Sequence, residues 1–175
     1  MKKERVEKAL THIDAAGRIK MVDVSKKEKT WREAIARGKV AMRAETLDLI
    51  MSGKTKKGNV LETARIAGIM AAKKTSDLIP LCHPIPLSNV EISFNPKSAS
   101  NMIQIESRVK AFDRTGVEME ALVAVVHAAL TIYDMCKAVD RGMTISDIEL
   151  LFKTGGKSGT FQREKPGAEI KTNGE

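Results

Sequence analysis

The segment Asp77-Leu-Ile-Pro-Leu-Cys-His-Pro84 sets a cysteine and a histidine between prolines on an otherwise apolar stretch. Each proline removes a backbone donor and blocks regular helix. Surface loops are built from Gly, Ser, Asn and Asp instead, so a buried loop holding His83 in one place is expected. A held imidazole suits proton transfer near neutral pH. A packed loop whose histidine merely satisfies a backbone carbonyl accounts for the same residues equally well.

A second group of candidates lies on a long helical pattern over 116–141. Thr115-Gly-Val-Glu118 has the spacing of a capping box, which gives Glu118 a structural explanation. Glu120 lies beside the nearly continuous apolar run 121–133, where a carboxylate is costly unless paired. Asp134 and Lys137 are i, i+3 neighbours, the spacing of an ordinary surface ion pair, yet Asp134 sits at the unfavourable end of the helix dipole. At 1.5 Å per residue, Glu120 and Asp134 stand about 21 Å apart on nearly one stripe. They cannot share one acid–base site within a subunit. His127 lies between them and reads as a core or interface histidine.

Lys153-Thr-Gly-Gly-Lys-Ser-Gly159 lacks the first P-loop glycine, because Leu151 occupies its place. Nucleotide hydrolysis is therefore not expected, although Lys153 and Lys157 on a glycine loop suit phosphate. Lys54, Lys56 and Lys57 lie on a comparable loop over 52–58. Cys82, His83 and Cys136 have poor chelating spacing, and no metal site is expected.

The elements that must carry these residues belong to one domain of 175 residues, large enough for a core without disulfides. Thirty basic against twenty-two acidic residues give +8, which favours an anionic partner. The lysines are dispersed and no aromatic-rich basic tract resembles a nucleic-acid platform. No apolar run reaches membrane-spanning length, the first residues lack a signal-peptide core, and the two cysteines form no C-x-x-C pair; a reduced, cytoplasmic protein is expected. Short strands are read at 21–25 and 40–43, a helix at 44–51, and a helix at 59–76 capped by Asn59 with Glu62. Its small residues Ala64, Ala67, Gly68, Ala71 and Ala72 call for close packing. Alternation predicts a hairpin of strands around 90–94 and 103–111, and a last strand at 148–153. The tail from Gln162 is polar and expected to fray. The fold class is α+β, with an antiparallel sheet covered by helices. From residue 40 the order strand, helix, strand, strand, helix, strand is the ferredoxin-like split βαβ arrangement. An all-round apolar helix needs covering on more than one side, which points to an oligomer.

Several blocks together resemble one family: Thr11-His-Ile-Asp14, Met21-Val-Asp-Val-Ser25, Lys57-Gly58, Thr63-Ala-Arg-Ile-Ala-Gly68, the loop 77–84, Gly116-Val-Glu-Met-Glu-Ala-Leu122, Leu130-Thr-Ile-Tyr-Asp-Met-Cys-Lys-Ala-Val139 and Gly155-Gly-Lys-Ser-Gly159. This is the MoaC family, the cyclic pyranopterin monophosphate synthases of molybdenum cofactor biosynthesis. The resemblance covers 11–160 as a single catalytic domain, leaving 1–10 as an extension and 161–175 as a tail. It implies a lyase that converts 3′,8-cyclo-7,8-dihydroguanosine triphosphate to a cyclic pyranopterin monophosphate with release of pyrophosphate. The substrate would come from a radical-SAM GTP cyclase, with no cofactor, nucleic acid or membrane involved. Homohexamers, trimers of dimers with sites between subunits, are also implied. Carried over by motif, Asp134 is the catalytic carboxylate, with Lys57 and Lys137 as site lysines, each of which could be a base or a charged phosphate ligand. Leu81, Cys82, His83, Met119, Glu120 and, in the same block, Glu118 are implied to bind substrate, and Lys153 and Lys157 to suit the triphosphate. An RNA-binding module of the same fold, or a catalytically silent scaffold, are the competing readings.

Overall fold

The computed structural model describes residues 13, 16–55 and 57–164. The extension 1–10, most of the Thr11–Asp14 motif, Lys56 and the tail from residue 165 lie outside them.

Five antiparallel strands make one sheet: β1 (Thr30–Ala41), β2 (Leu87–Lys97), β3 (Met102–Asp113), β4 (Thr144–Thr154) and the two-residue β5 (Phe161–Gln162). Their spatial order is β2-β3-β1-β4-β5, with β1 hydrogen-bonded on both sides. Four helices complete the architecture, α1 (Ala44–Met51), α2 (Val60–Ala72), α3 (Thr75–Leu78) and α4 (Glu118–Cys136). The expected helix over 59–76 is thus broken at Lys73–Lys74 into α2 and α3, and α4 is shorter at both ends than the pattern over 116–141.

The strand expected at 40–43 is the last part of β1. Residues 32–39 escape a hydrophobic reading because β1 alternates Ala34, Ala36, Gly38 and Val40 inward with Glu33, Arg37 and Lys39 outward. Small inward residues make room for α4 at the sheet centre, since a side chain on Gly38 would strike Ile148 and Val125. The strand expected at 21–25 is not one. Its main chain turns, with Asp23 accepting from the Ser25 N–H at 2.8 Å, and among the described residues no neighbouring strand meets it. β4 begins four residues before the expected start. The polar end is partly ordered: Arg163 N donates to the Leu151 carbonyl at 2.8 Å, and its guanidinium meets Glu149 at 3.1 Å.

α2 and α4 pack on each other over the inner face. Asn59 caps α2, accepting from Glu62 N at 3.1 Å, as expected from the pair. Ala64, Gly68, Ala71 and Ala72 are buried in the helix contact. A Cβ on Gly68 would lie 2.7 Å from the Ala124 carbonyl oxygen and inside Ile92. Gly68→Ala is therefore expected to lose ~1–3 kcal/mol of stability through overpacking, measured by denaturant unfolding; an unchanged midpoint would mean that α2 can slide off α4. By length and composition α4 is apolar enough to cross a membrane, but it is packed here as the core helix between sheet and α2. The second cover that its apolar circumference requires is α2, with Leu130 left 49% exposed. On the outer sheet face Trp31 and Phe112 stand opposite each other in exposed positions, ring centroids 5.5 Å apart.

Candidate active site

The proline-bracketed loop leaves α3 through a turn, Cys82 N donating to the Ile79 carbonyl at 3.0 Å. His83 Nε2 lies 2.8 Å from the Val22 carbonyl oxygen. A carbonyl only accepts, so Nε2 carries the proton, and in the neutral ring the lone pair is on Nδ1. The bond also pins the irregular segment around Val22, which forms one wall of a cleft of about 710 Å³. Leu81, Cys82 and His83 supply another wall, and Glu118, Met119 and Glu120 from the first turn of α4 the floor. That volume is in the range that holds a small-molecule ligand. All six residues expected at the substrate by motif are thus brought together.

Glu120 is the most perturbed of them. It is 3% exposed, and burial pushes its carboxyl up to about 7, with the charge of Glu118 adding to the rise against the help of its own backbone N–H. Glu120 and His83 also line a smaller cavity of about 270 Å³, so the two side chains form the partition between both spaces. The Cys82 thiol is pushed up by burial and then by Glu120, which keeps it protonated and un-nucleophilic.

The capping box does not form. Val117 is the N-cap of α4 and makes no side-chain bond. Glu118 instead folds back over Gly116, where a side chain would collide with its carboxylate, and faces the cleft. The structural explanation for Glu118 is lost with the cap.

Lys27, Thr115, Gly116 and Glu118 also line a second cavity of about 820 Å³, so the two spaces adjoin at these residues. Cations predominate on its walls, Lys26, Lys27, Arg32, Arg114 and Lys157 against the carboxylates Glu28 and Glu118, beside Gly155 and Gly156. Lys153 does not line it directly, but its ammonium donates to the hydroxyl of Ser158, which does. Arg32 is the residue that the sequence reading missed. Only 8% exposed, it donates from Nε to the Asp113 carbonyl at 3.0 Å and from Nη2 to the Arg114 carbonyl at 3.1 Å. Among the described residues it pairs with no carboxylate. A buried guanidinium without an anion is costly, and the glycines keep its remaining edge open, because a side chain on Gly156 would overlap it. The available signal was phase: Arg32 is in register with the inward residues of β1.

The third group, Asp134, Lys137 and Lys57, lines neither cavity. Asp134 Oδ1 lies 2.6 Å from Lys137 Nζ, and Oδ2 4.0 Å from Lys57 Nζ, which donates to the Asp134 carbonyl at 2.9 Å. Lys137 first, then Lys57, holds the carboxyl of Asp134 below its usual range. Asp134 in turn raises Lys137, which is therefore a charged donor here and not a lysine tuned downward to act as a base. Both ends of α4 thus carry candidate groups, Glu120 at one and Asp134 at the other, about 21 Å apart at 1.5 Å per residue. Among the described residues no three His, Cys, Asp or Glu side chains cluster as a metal requires.

Known proteins match most of this chain. The MoaC family model matches residues 21–156. A cyclic pyranopterin monophosphate synthase of Desulforapulum autotrophicum is 60% identical over 157 residues, 90% of this chain and 96% of the relative. Relatives of the same name from Thermomicrobium roseum and Chloroflexus aurantiacus are 57% and 60% identical, each over 89% of this chain and over 93% and 96% of their own lengths. Covering β1 to β4, most of both cavity linings and both ends of α4, the family match means that the chain belongs to the MoaC family.

Proposed function

We propose that this chain is a lyase of molybdenum cofactor biosynthesis that converts 3′,8-cyclo-7,8-dihydroguanosine triphosphate to cyclic pyranopterin monophosphate and pyrophosphate. The observation that carries the reading is the pair of adjoining cavities. An apolar cleft around Glu120 and His83 suits a purine-derived ring, and next to it, across Lys27 and Gly116, a cationic space at Arg32 and Lys157 suits a triphosphate. In this reading the ring is opened and rebuilt, and a substrate hydroxyl attacks the α-phosphorus. The hydroxyl proton goes to a base, and the bond to the pyrophosphate leaving group breaks. Asp134, Lys57 and Lys137 act at the reacting atoms. Leu81, Cys82, His83, Met119, Glu120 and Glu118 hold the ring system, and Lys153 acts on the phosphates through Ser158.

The reading takes 11–160 as one catalytic domain with the ferredoxin-like fold. The strand order β2-β3-β1-β4, with α2 and α4 on one face, supports that fold, and β5 extends it at one edge. It also takes the active protein as a homohexamer, a trimer of dimers. In one subunit Asp134 lies about 21 Å from Glu120, and a neighbouring subunit can bring the two groups together. The exposed Trp31–Phe112 pair is apolar surface that an assembly can cover. Two free cysteines suit a reduced, cytoplasmic setting, where a radical-SAM cyclase supplies the substrate.

The test is to incubate the purified chain with enzymatically made cyclic dihydro-GTP, following the pterin by mass spectrometry and pyrophosphate by a coupled assay. Formation of both products in equal amounts is expected. A folded protein that binds the substrate without turning it over would be a scaffold, and one that does not bind it would remove the substrate assignment.

A further inference from the structure

We propose that Asp140 is a positioning residue for the Lys57–Asp134–Lys137 cluster: placed just beyond α4, its carboxylate caps the amino end of α1 and thereby fixes where Lys57 meets Asp134. α1 has no cap of its own, because its N-cap residue Arg43 makes no side-chain hydrogen bond of that kind. Asp140 replaces it from elsewhere in the chain. Its Oδ2 accepts from the Arg43 N–H at 2.8 Å and from the Thr46 hydroxyl at 3.2 Å, while Oδ1 accepts from the Gly142 N–H at 3.0 Å. The tie is reciprocal, for the Arg43 guanidinium donates to the Val139 carbonyl and brings Nε to 3.6 Å from Asp140 Oδ1. Asp140 is 4% exposed and Thr46 fully buried. The Arg43 N–H leads the groups that hold the Asp140 carboxyl below its usual range, so it is ionised at neutral pH.

The consequence is a closed circuit of contacts. α4 ends at Cys136, with the Val139 and Asp140 N–H groups both donating to the Cys136 carbonyl. Asp140 grips the start of α1, which ends at Met51, and the loop that follows it closes in a tight turn where Gly58 N donates to the Thr55 carbonyl. Lys57 stands in that turn and returns to the Asp134 carbonyl at 2.9 Å. Loosening the grip at Asp140 lets α1 and its turn shift against α4, and Lys57 shifts with them. A displacement of ~1 Å at a reacting group can cost ~10²-fold in rate.

This inference rests on reading the cluster as catalytic, and the experiment separates the two. Asp140→Ala, Asp140→Asn and Thr46→Val are made alone, and Asp140→Ala also in a Lys57→Ala background. Turnover of cyclic dihydro-GTP by the full chain is measured below the onset of unfolding seen by circular dichroism. Asp140→Ala is expected to lower kcat ~10²-fold and to move KM less than ~3-fold, since Asp140 itself lines neither cavity. Asp140→Asn keeps an acceptor for Arg43 and Thr46 and is expected to recover most of the loss. Thr46→Val, which removes one donor and retains the fold, moves kcat in the same direction by less. In the Lys57→Ala background Asp140→Ala is expected to add nothing. Equal losses in both backgrounds, or an unchanged kcat in Asp140→Ala and Thr46→Val, would overturn the proposal. Full turnover by Lys57→Ala alone would overturn the catalytic reading of the cluster, and the proposal with it.

Discussion

Asp134→Asn is expected to fold and assemble like the wild type and to lose ~10²–10⁴-fold in kcat, the usual worth of a positioned acid–base group. The asparagine keeps the size of the side chain and can still accept from Lys137, so the geometry at the end of α4 survives. What disappears is the negative charge that holds two ammonium groups, Lys137 at 2.6 Å and Lys57 at 4.0 Å. The carboxylate is exposed and lies outside the core, so no change in thermal midpoint is expected. Loss of turnover without loss of stability is the mark of chemistry rather than folding, and the paired measurement is kcat against the unfolding transition. Because Lys137 chiefly depresses the carboxyl of Asp134, the group is already ionised well below neutral pH. Its own titration should leave no limb in the rate profile between pH 6 and 8. Wild-type rates in the asparagine variant would remove Asp134 from the reaction.

Glu120→Gln is expected to change both the pH dependence of stability and that of turnover. The folded carboxyl titrates at about 7, the unfolded one near ~4.3. Between those values the native state holds a proton that the unfolded chain has released, so stability falls as pH rises and levels off above 7. At ~1.4 kcal/mol per pH unit the full cost is ~4 kcal/mol. Glutamine, neutral at every pH, escapes it. The variant should therefore unfold at higher denaturant concentration than the wild type at pH 8.5, the difference shrinking toward pH 4.5. In turnover, any limb near pH 7 that comes from Glu120 holding the ring system should vanish in the variant. A stability difference that does not vary with pH would mean that Glu120 titrates as an ordinary surface carboxylate.

The sequence was most legible where the pattern was redundant. The hairpin of β2 and β3 alternates cleanly over many residues, and the Asn59 cap and the small face of α2 each imply one local geometry. The cleft was legible for a different reason: two short segments, 81–83 and 118–120, carry nearly all of its named side chains. β1 was hidden because its inward residues are Ala and Gly, chosen for close approach to α4, and its outward ones are charged; neither set reads as strand. Arg32 was hidden for the same reason, since nothing local marks one arginine among thirty basic residues as the buried one. Val22 and Val24 imitate a strand because they alternate, yet both line a cleft wall, and the Val22 carbonyl bonds His83 instead of a neighbouring strand. The Glu118 cap failed because Val117 took the N-cap place, one residue from the end of the motif.

The central place of β1 has a consequence for synthesis on the ribosome. Thr30–Ala41 emerges first, but its partners β3 and β4 come from the second half of the chain, and β4 is complete only at Thr154. At ~5–20 residues per second the strand waits ~6–20 s with at least one edge unpaired. A β-branched, apolar strand left open that long would recruit others like it. Arg32, Glu33, Arg37 and Lys39, which obscure β1 as a strand, are the gatekeepers that keep the nascent segment soluble until its second edge is closed.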